Sequence, residues 1–410
     1  MHVLIANVHF RPYSYGGATL VAEWMAEALV RRGHRVSVFA TRPGNRSDAY
    51  TVARTTPLPG VDVYLVALPP GRPAALADDN PAVASALLPI ARRLAPDVAH
   101  LHCLQDLGAG LLPGLKALGI PTVLSFHDYW WACARQFLIR SDHRPCTLPA
   151  ARAADCAACA GPAAPARLAR LSAIARQADL RTAPGPSAAA FCDASGCGPT
   201  TVWENGILPP GRGFAVSRAG RSGPAVFGYL GGPSTAKGWP VLREAARRLG
   251  RNDLIFRAVD GGVLAPWWRP GAFDGLPGVW QTAPRFDPAA ADGFYAGIDA
   301  LIFPSRWRET YGLTVREALA RGLRVIRTGP GGQAEHPPTR AVRAYPYDLP
   351  EAEAALALAD AIAATADEIA AGAPRTLPPL PARTAEDQAD DLHSILGSLA
   401  HRRRAALAAE

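Results

Sequence analysis

Glu309 and Glu317 are the two side chains whose type and spacing best suit chemistry on an elongated ligand. Glu309 precedes a predicted helix over 312–320, and Glu317 lies about a turn and a half inside that helix. A carboxylate accepts hydroxyl hydrogen bonds on both oxygens, so one glutamate could hold a sugar and the other a ribose. Two solvated glutamates on a helix face would have the same spacing, so the spacing alone leaves both interpretations open.

The predicted elements around the pair place it at the ligand-binding edge of a sheet. Apolar strand-like runs alternate with helical patterns along the chain, which is typical of parallel α/β sheets. The predicted strand Ala300–Phe303 ends just before Glu309, so this loop lies at the carboxyl edge, where open α/β sheets bind ligands. The helix that begins at Gly312 presents free N–H groups and the positive end of its dipole to an anion.

Residues 304–322 resemble the E-x7-E signature of glycosyltransferase family 4, whose members have the GT-B fold. The matching pattern reads Pro-Ser-x-x-x-Glu-x-Tyr-Gly-Leu-x-x-x-Glu-Ala-Leu-Ala-x-Gly. The resemblance implies an α/β chain of two Rossmann-like domains that face each other across a cleft. It also implies that Glu309 lies by the donor sugar and Glu317 by the nucleotide ribose, while the backbone of 311–313 contacts sugar and phosphate.

The activity that this resemblance implies is that of a retaining, hexosyltransferase-type glycosyltransferase. Such an enzyme moves a sugar from a UDP-, GDP- or dTDP-sugar to a hydroxyl of a glycan, glycolipid or natural product. The transfer is a front-face substitution that needs no cofactor. Three alternatives would keep most of these residues: a GT-B phosphorylase, a pseudo-glycosyltransferase, and a non-catalytic partner subunit that binds sugar nucleotides. A dinucleotide enzyme is disfavoured, because no G-x-G-x-x-G motif follows the first strand.

Two further motifs suit a diphosphate. Gly16 and Gly17 lie between the first predicted strand and helix, where backbone N–H groups can contact a diphosphate, although tight turns use such pairs more often. Lys237 precedes another predicted helix and resembles the family lysine that neutralises the leaving diphosphate; by itself, such a lysine is usually solvated. Many relatives carry an arginine about five residues earlier, where Gly231 and Gly232 stand here, so one diphosphate clamp departs from the family pattern.

His127 follows the predicted strand Thr122–Ser125 at the carboxyl edge of the first sheet. A histidine there can donate to a sugar hydroxyl or stabilise charge at the anomeric centre, although a strand-end histidine is more often structural. The resemblance matches His127 to the family's strand-end histidine, and His100 and His102 to its earlier His-x-His. The expected catalytic residues are His127, Lys237 and Glu309. The expected donor-binding residues are Gly16, Gly17, Lys237, Glu309, Tyr311, Gly312, Leu313 and Glu317.

Four cysteines fall in a long, irregular, proline-containing segment, 127–165. They are Cys133, Cys146, Cys156 and Cys159. The C-x-x-C pair has chelating spacing, and four thiolates can close a tetrahedral zinc site that stabilises a loop without a core. A branch of the family has similar cysteines here. Structural zinc is the favoured interpretation, with an iron–sulfur cluster, a redox pair or four reduced thiols as alternatives.

Length predicts two domains, because 410 residues exceed the roughly 250–300 at which a single core stops growing. An acceptor-binding domain is expected over 1–208, including the cysteine-rich segment. A Gly/Pro-rich linker over 209–223 then leads to a nucleotide-sugar domain over 224–380. The last residues, 381–410, are expected to form a helix that packs back on the first domain.

The net charge of +8 suits anionic ligands such as diphosphates, or peripheral contact with an anionic membrane or glycolipid surface. An arginine-rich surface without such a partner is an equal alternative. No long basic run or basic and aromatic interleaving indicates nucleic-acid binding. The beginning of the chain lacks a signal-peptide pattern, and no stretch of about 18 uncharged apolar residues occurs. These features predict a cytoplasmic enzyme, peripheral at most to the inner membrane face.

Overall fold

The computed structural model describes residues 1–214, 222–261 and 270–409. Residues 215–221 of the linker expected over 209–223 therefore lie outside the described residues. The chain divides into two compact units, each with its own mainly parallel sheet and its own helices.

The first unit comprises Met1–Gln136, Pro149–Gly206 and the chain from Arg383 onward. Its strands are β1 (His2–Ala6), β2 (Arg35–Pro43), β3 (Val52–Leu58), β4 (Val61–Leu68), β5 (Val98–Leu101), β6 (Thr122–Ser125), β7 (Leu180–Ala183) and β8 (Thr201–Val202). Its helices before Gly206 are α1 (Gly16–Arg31), α2 (Pro81–Leu94), α3 (Leu111–Ala117), α4 (Ala153–Ala160), α5 (Ala164–Ala175) and α6 (Pro186–Ala194). The sheet order is β3-β4-β2-β1-β5-β6-β7-β8.

Burial explains why some strands of this sheet appear in the sequence as continuous apolar runs and the edge strand β3 does not. β1, β5 and β6 are buried along their whole length, because helices cover both faces of a parallel sheet. The edge strand β3 pairs antiparallel with β4 and exposes several of its residues. Its sequence, Val-Ala-Arg-Thr-Thr-Pro-Leu, lacks a continuous apolar run, and the sequence analysis did not predict it.

The second unit comprises Phe137–Leu148 and Ile207–Ala382. Its strands are β9 (Val226–Tyr229), β10 (Ile255–Val259), β11 (Val279–Ala283), β12 (Ala300–Phe303), β13 (Arg324–Gly329) and β14 (Val342–Pro346). Its helices are α7 (Trp239–Leu249), α8 (Ala291–Ala296), α9 (Leu313–Ala320) and α10 (Glu351–Ala370). The strands pair parallel in the order β11-β10-β9-β12-β13-β14.

Adjacent residues on β12 show how this sheet builds two core layers. Leu301 and Ile302 are both buried, and because successive strand residues point to opposite faces, they enter different apolar clusters. Ile302 packs in the cluster that contains residues of α7 and α10, whereas Leu301 packs in the cluster that contains Val315 and Leu319 of α9. The strand therefore reads as an uninterrupted apolar run, and its carboxyl end is held firmly beneath the loop that follows.

Residues 137–148, which we call the strap, differ from the expectation that 127–165 lies wholly in the first domain. The strap belongs to the second unit. It turns back on itself through a bridge between Ile139 and Pro145, and the Cys146 N–H donates to the Leu138 carbonyl at 2.7 Å. Burial of Leu138 anchors it. The rest of 127–165 is also less irregular than predicted, because α4 lies within it.

Candidate functional site

The structure brings Lys237 and Glu309, two of the predicted site residues, into direct contact. Lys237 lies between β9 and α7, and Glu309 follows β12, the neighbour of β9 in the sheet. The Lys237 Nζ donates to the Glu309 Oε1 at 2.8 Å. The carboxylate is buried, whereas 38% of the lysine side chain is exposed. The lysine side chain is therefore partly open to solvent, whereas its partner carboxylate is buried.

The backbone around Glu309 is fixed by close contacts between loops. The Ser305 hydroxyl donates to the Glu309 Oε1 at 2.7 Å, and the Gly332 N–H donates to the Glu309 carbonyl at 2.7 Å. On the lysine side, a Cβ at Gly238 would lie 1.9 Å from the Pro304 carbonyl oxygen, so only glycine permits this approach. The two loops thus form one rigid edge at the carboxyl ends of β9 and β12.

Two aromatic rings lie near the Lys237 ammonium. Its Nζ lies 5.8 Å from the ring centroid of Phe303 and 5.5 Å from that of Trp307, within the range of cation–π attraction. The Tyr229 hydroxyl braces the lysine loop by donating to the Gly232 carbonyl at 3.0 Å, with the Lys237 carbonyl 3.3 Å away. Burial raises the pKa of Tyr229, so its hydroxyl remains a donor at neutral pH.

The strap packs against the loop that carries Glu309, a feature that the sequence analysis missed. The ring of Phe137 meets the ring of Trp307 edge-on, with centroids 5.1 Å apart. The Arg308 guanidinium donates to the Leu148 carbonyl at 2.5 Å, and the Tyr347 hydroxyl donates to the Cys146 carbonyl at 3.4 Å. No local pattern indicates these contacts, because the partners are far apart in the sequence.

Glu317 has a different environment from Glu309. The Tyr295 hydroxyl of α8 donates to the Glu317 Oε2 at 2.7 Å. Burial raises the pKa of Glu317, and the nearby Arg321 guanidinium partly opposes this shift. Tyr295 is fully buried, and its pKa is raised mainly by burial and also by the adjacent carboxylate. The structure therefore supplies Glu317 with an orienting tyrosine that the sequence analysis did not predict.

The turn Tyr311-Gly312-Leu313 begins α9 where it was predicted. Gly312 has φ +82°, and a Cβ there would lie 2.8 Å from the Cα of Gln333. Gly332 packs as closely, since its Cβ would lie 2.3 Å from the Thr310 carbonyl oxygen. α9 has no side-chain cap, so the N–H groups of its first turn remain suited to an anion.

The loop after β13, which contains Gly331-Gly332-Gln333, was not identified from the sequence. Its Pro-Gly-Gly run could have indicated a close backbone approach after a buried strand.

Three histidines of the first unit lie together, with His100 and His102 buried and His127 partly buried. The Nδ1 of His102 and the Nε2 of His127 share a hydrogen bond of 2.7 Å, and the Nε2 of His100 lies 2.8 Å from the Ser125 Oγ. Burial lowers the pKa of His127 to about 4 and that of His100 to about 3. All three imidazoles are therefore neutral at neutral pH, so His127 can act there as a neutral donor or acceptor.

The glycine pair of the first unit lies at the start of α1. Gly16 is its first residue, with φ +82°, and the preceding Tyr15 provides no side-chain cap. The loop before it is braced by the buried carboxylate of Glu23, which accepts from the N–H and the Nε of Arg11, each at 3.1 Å. The N-terminus of α1 is therefore formed and uncapped, as an anion contact requires.

Residues 15–209 match the sequence model of Glycosyltransferase Family 4. Over the whole chain, the structure is similar to sucrose-phosphate synthase from Thermosynechococcus elongatus (17% identity, 100% of both chains, TM-score 0.65). It is also similar to HepE of Anabaena in complex with UDP and glucose (17% identity, 100% and 99% coverage, TM-score 0.59). A UDP-forming α,α-trehalose-phosphate synthase from Burkholderia vietnamiensis matches likewise (13% identity, 97% of each chain, TM-score 0.60).

The chain has the GT-B glycosyltransferase fold. This confirms the fold class expected from the sequence. No curated protein sequence matches the chain significantly. The range matched by the family model ends before Lys237 and Glu309, so the interpretation of that pair in this GT-B chain depends on its geometry.

The four cysteines expected to hold a metal are divided between the two units. Cys156 and Cys159 lie on α4 in the first unit. Cys133 lies in the same unit but outside α4, and Cys146 lies on the strap in the second unit. Within the part of the chain that the structure describes, no three His, Cys, Asp or Glu side chains converge as a metal-binding group. The zinc site at the four cysteines stays a prediction.

Across residues 1–214, 222–261 and 270–409, no helix combines the length and the apolar character needed to span a bilayer.

Proposed function

We propose that this protein is a retaining glycosyltransferase that moves a sugar from a nucleotide-diphosphate donor to a hydroxyl acceptor. The observation that carries the proposal is the 2.8 Å contact between Lys237 and Glu309. It places a partly exposed cation and a buried carboxylate side by side, next to the uncapped start of α9. A glycosyl diphosphate needs these groups together: a hydrogen-bond acceptor for the sugar hydroxyls and positive charge for the phosphates.

The Lys237–Glu309 ion pair would be exchanged for contacts to the donor. Glu309 retains its hydrogen bond from Ser305, so its carboxylate stays oriented while the second oxygen accepts from a sugar hydroxyl. The lysine side chain has rotatable bonds and an exposed surface, so its ammonium can turn from the carboxylate to the β-phosphate. Glu317, held by Tyr295, would accept from the ribose hydroxyls.

In the proposed reaction the anomeric carbon exchanges one oxygen for another on the same face. The bond from that carbon to the β-phosphate oxygen breaks as the bond to the acceptor oxygen forms. The acceptor's proton passes to the departing β-phosphate oxygen, so the products are a nucleoside diphosphate and a glycoside of unchanged anomeric configuration. The protein contributes orientation and stabilisation of the leaving diphosphate by Lys237 and the first turn of α9.

UDP-glucose is the donor to test first. HepE was solved in complex with UDP and glucose, and the Burkholderia synthase is described as UDP-forming. GDP- and dTDP-sugars complete the panel. The acceptor class is a hydroxyl-bearing glycan, glycolipid or natural product, and we propose that neutral His127 of the first unit contributes to transfer.

Selective chemistry on lysine tests the donor site directly. Lys116 and Lys237 are the two lysines of the sequence, and their side chains are similarly exposed, 33% and 38%. We expect UDP-glucose to protect Lys237 from acetylation by about tenfold, because phosphate contact removes the free amine from solution. Lys116, which pairs with Asp179, serves as the internal control and should react equally with and without the donor. Mass spectrometry of the two peptides measures both; equal acetylation of Lys237 would contradict the proposal for this donor.

Turnover measurements test the catalytic assignment. We expect Lys237→Ala and Glu309→Ala each to reduce turnover by at least about tenfold, which corresponds to about 1.4 kcal/mol of transition-state stabilisation. The control Lys116→Ala should keep wild-type turnover. Transfer from a sugar 1-phosphate with release of phosphate, and none from the nucleotide sugars, would indicate a phosphorylase, and an inverted product in the NMR spectrum would exclude retention. Wild-type rates in both variants would remove the assignment.

A further inference from the structure

Arg316 is a buried cation inside the donor loop system. It lies on α9 with 6% of its surface exposed. Its guanidinium donates to three carbonyls: those of Tyr311, of Gly332 at 2.8 Å, and of Glu335 at 2.6 Å. Its central carbon lies 3.6 Å from the ring centroid of Tyr311. One side chain therefore joins the turn before α9 to the loop after β13.

These hydrogen bonds determine which way two peptide groups face. The C=O and N–H of a trans peptide point in opposite directions. Because the Tyr311 carbonyl is held toward Arg316, the N–H of Gly312 is directed away from the guanidinium. Likewise, the N–H of Gln333 points away from the guanidinium, because the Gly332 carbonyl is held toward it.

An uncharged side chain could not do the same. A buried guanidinium is costly to desolvate unless its N–H groups are satisfied, and here the planar fork reaches two loops at once. The two loops are otherwise in contact through glycines, where Gly312 faces Gln333 and Gly332 faces Thr310. Without the guanidinium, the Tyr311 and Glu335 carbonyls would lose this donor and the Gly332 carbonyl would keep the Glu335 N–H at 3.2 Å, so the peptide planes would be less firmly held.

We propose that Arg316 is a positioning residue that orients the Tyr311–Gly312 peptide for the glycosyl diphosphate of the donor. The inference rests on the proposed function and deepens it. Arg316 acts through the backbone and contacts no reacting atom. It serves recognition of the sugar and β-phosphate, and it does not serve recognition of the nucleoside, which Glu317 would hold.

The test compares ligands that contain different parts of the donor. Arg316→Lys keeps the charge but loses the fork, and Arg316→Met removes both. We expect each variant to weaken UDP-glucose binding by about tenfold or more, while the affinity for UMP, which lacks the β-phosphate and sugar, changes less than about twofold. Isothermal titration gives both dissociation constants.

The matched control is Arg324→Lys. Arg324 is also a buried arginine that donates to a backbone carbonyl, that of Pro374 at 2.7 Å, but it lies at the start of β13, the opposite end of the strand from the site. Its variant should bind both ligands like the wild type.

Three results would overturn the inference. They are wild-type affinity of Arg316→Lys for UDP-glucose, equal losses for UMP and UDP-glucose, and an equal loss in Arg324→Lys. Should the Arg316 variants not fold, amide exchange of the wild type decides: UDP-glucose, and not UMP, must protect 309–313 and 331–335 together. If the wild type binds none of UDP-, GDP- and dTDP-glucose, the proposed function itself fails, a result distinct from those three.

Discussion

Glu309 and Glu317 carry the same side chain eight residues apart, yet the fold gives them different partners. Glu309 accepts from the ammonium of Lys237, whose side chain is partly exposed and therefore open to displacement by a ligand. Glu317 accepts from the hydroxyl of the fully buried Tyr295 at 2.7 Å, and the Thr314 carbonyl lies 3.4 Å from the same hydroxyl. The first glutamate is thus suited to exchanging contacts during a reaction, and the second to holding a constant part of the ligand.

The raised pKa of Glu317 predicts a pH-dependent effect on stability. A folded-state pKa above the unfolded value means that the folded protein binds more protons, so its stability falls as the pH rises through the folded pKa. Glu317→Gln removes this loss and still accepts from Tyr295. We expect the change in Tm, variant minus wild type, to be more positive at pH 7.5 than at pH 5.

Calorimetry at the two pH values measures this difference. The control is Glu244→Gln, a half-exposed glutamate on α7 that pairs with Arg248, whose change in Tm should be similar at both. A smaller gain at pH 7.5 than at pH 5 for Glu317→Gln would contradict the assignment.

At the scale of elements, the two ends of α7 show what the site demands of the backbone. Gly238 and Gly250 flank the helix, and both have left-handed backbone, with φ +78° and +63°. A Cβ added at Gly250 would lie in open space, whereas a Cβ added at Gly238 would clash with the Pro304 carbonyl. The glycine at the carboxyl end is a helix cap, and the glycine at the amino end lets the Lys237 loop reach the Glu309 loop.

Alanine at these two glycines separates conformational cost from steric cost. Gly250→Ala should lower the free energy of unfolding by about 1 kcal/mol, because only the left-handed backbone is penalised. Gly238→Ala adds a clash with backbone that cannot move aside, so we expect a larger loss of stability together with loss of donor binding. Denaturant unfolding and UDP-glucose titration measure both. Equal effects of the two substitutions would show that the loop contact is unimportant.

At the scale of the whole molecule, the last helix completes the first unit. α11 (Ala385–Ala409) packs against α1, where Arg32 donates to Asp390. The Gln388 Oε1 accepts from the Gly206 N–H at 2.8 Å, and Leu392 is fully buried. The first unit is therefore assembled from both ends of the chain.

This assembly predicts which unit a mutation in α11 destabilises. Leu392→Ala leaves a cavity in the first unit, and we expect a loss of about 2–5 kcal/mol in the free energy of unfolding. Hydrogen exchange should accelerate in β1 and β5 while β9 and β12 keep their protection. Leu356→Ala, at a leucine of α10 that is 51% exposed, is the control and should change stability by less than about 0.5 kcal/mol. Equal acceleration in both units would refute the prediction.

The sequence by itself determined the regular elements near the site. Ala300–Phe303 and Thr122–Ser125 were predicted with the bounds that the structure has, because buried parallel strands are short, continuous apolar runs. Glycine indicated the start of α9 for a similarly local reason, since a left-handed residue precedes the helix. Such features depend on residues that are close together in the sequence, so they can be predicted from the sequence.

The tertiary structure alone decided which side chains meet. Lys237 and Glu309 are 72 residues apart, and sheet order brings them together because β9 and β12 are neighbours. The contact of Glu317 with Tyr295 and the strap's position against Trp307 likewise join distant segments. The chelating spacing of Cys156 and Cys159 on α4 is local and visible in the sequence. That Cys146 belongs to a different unit is known only from the structure. Burial and packing select such contacts over the whole chain, and no local pattern encodes that selection.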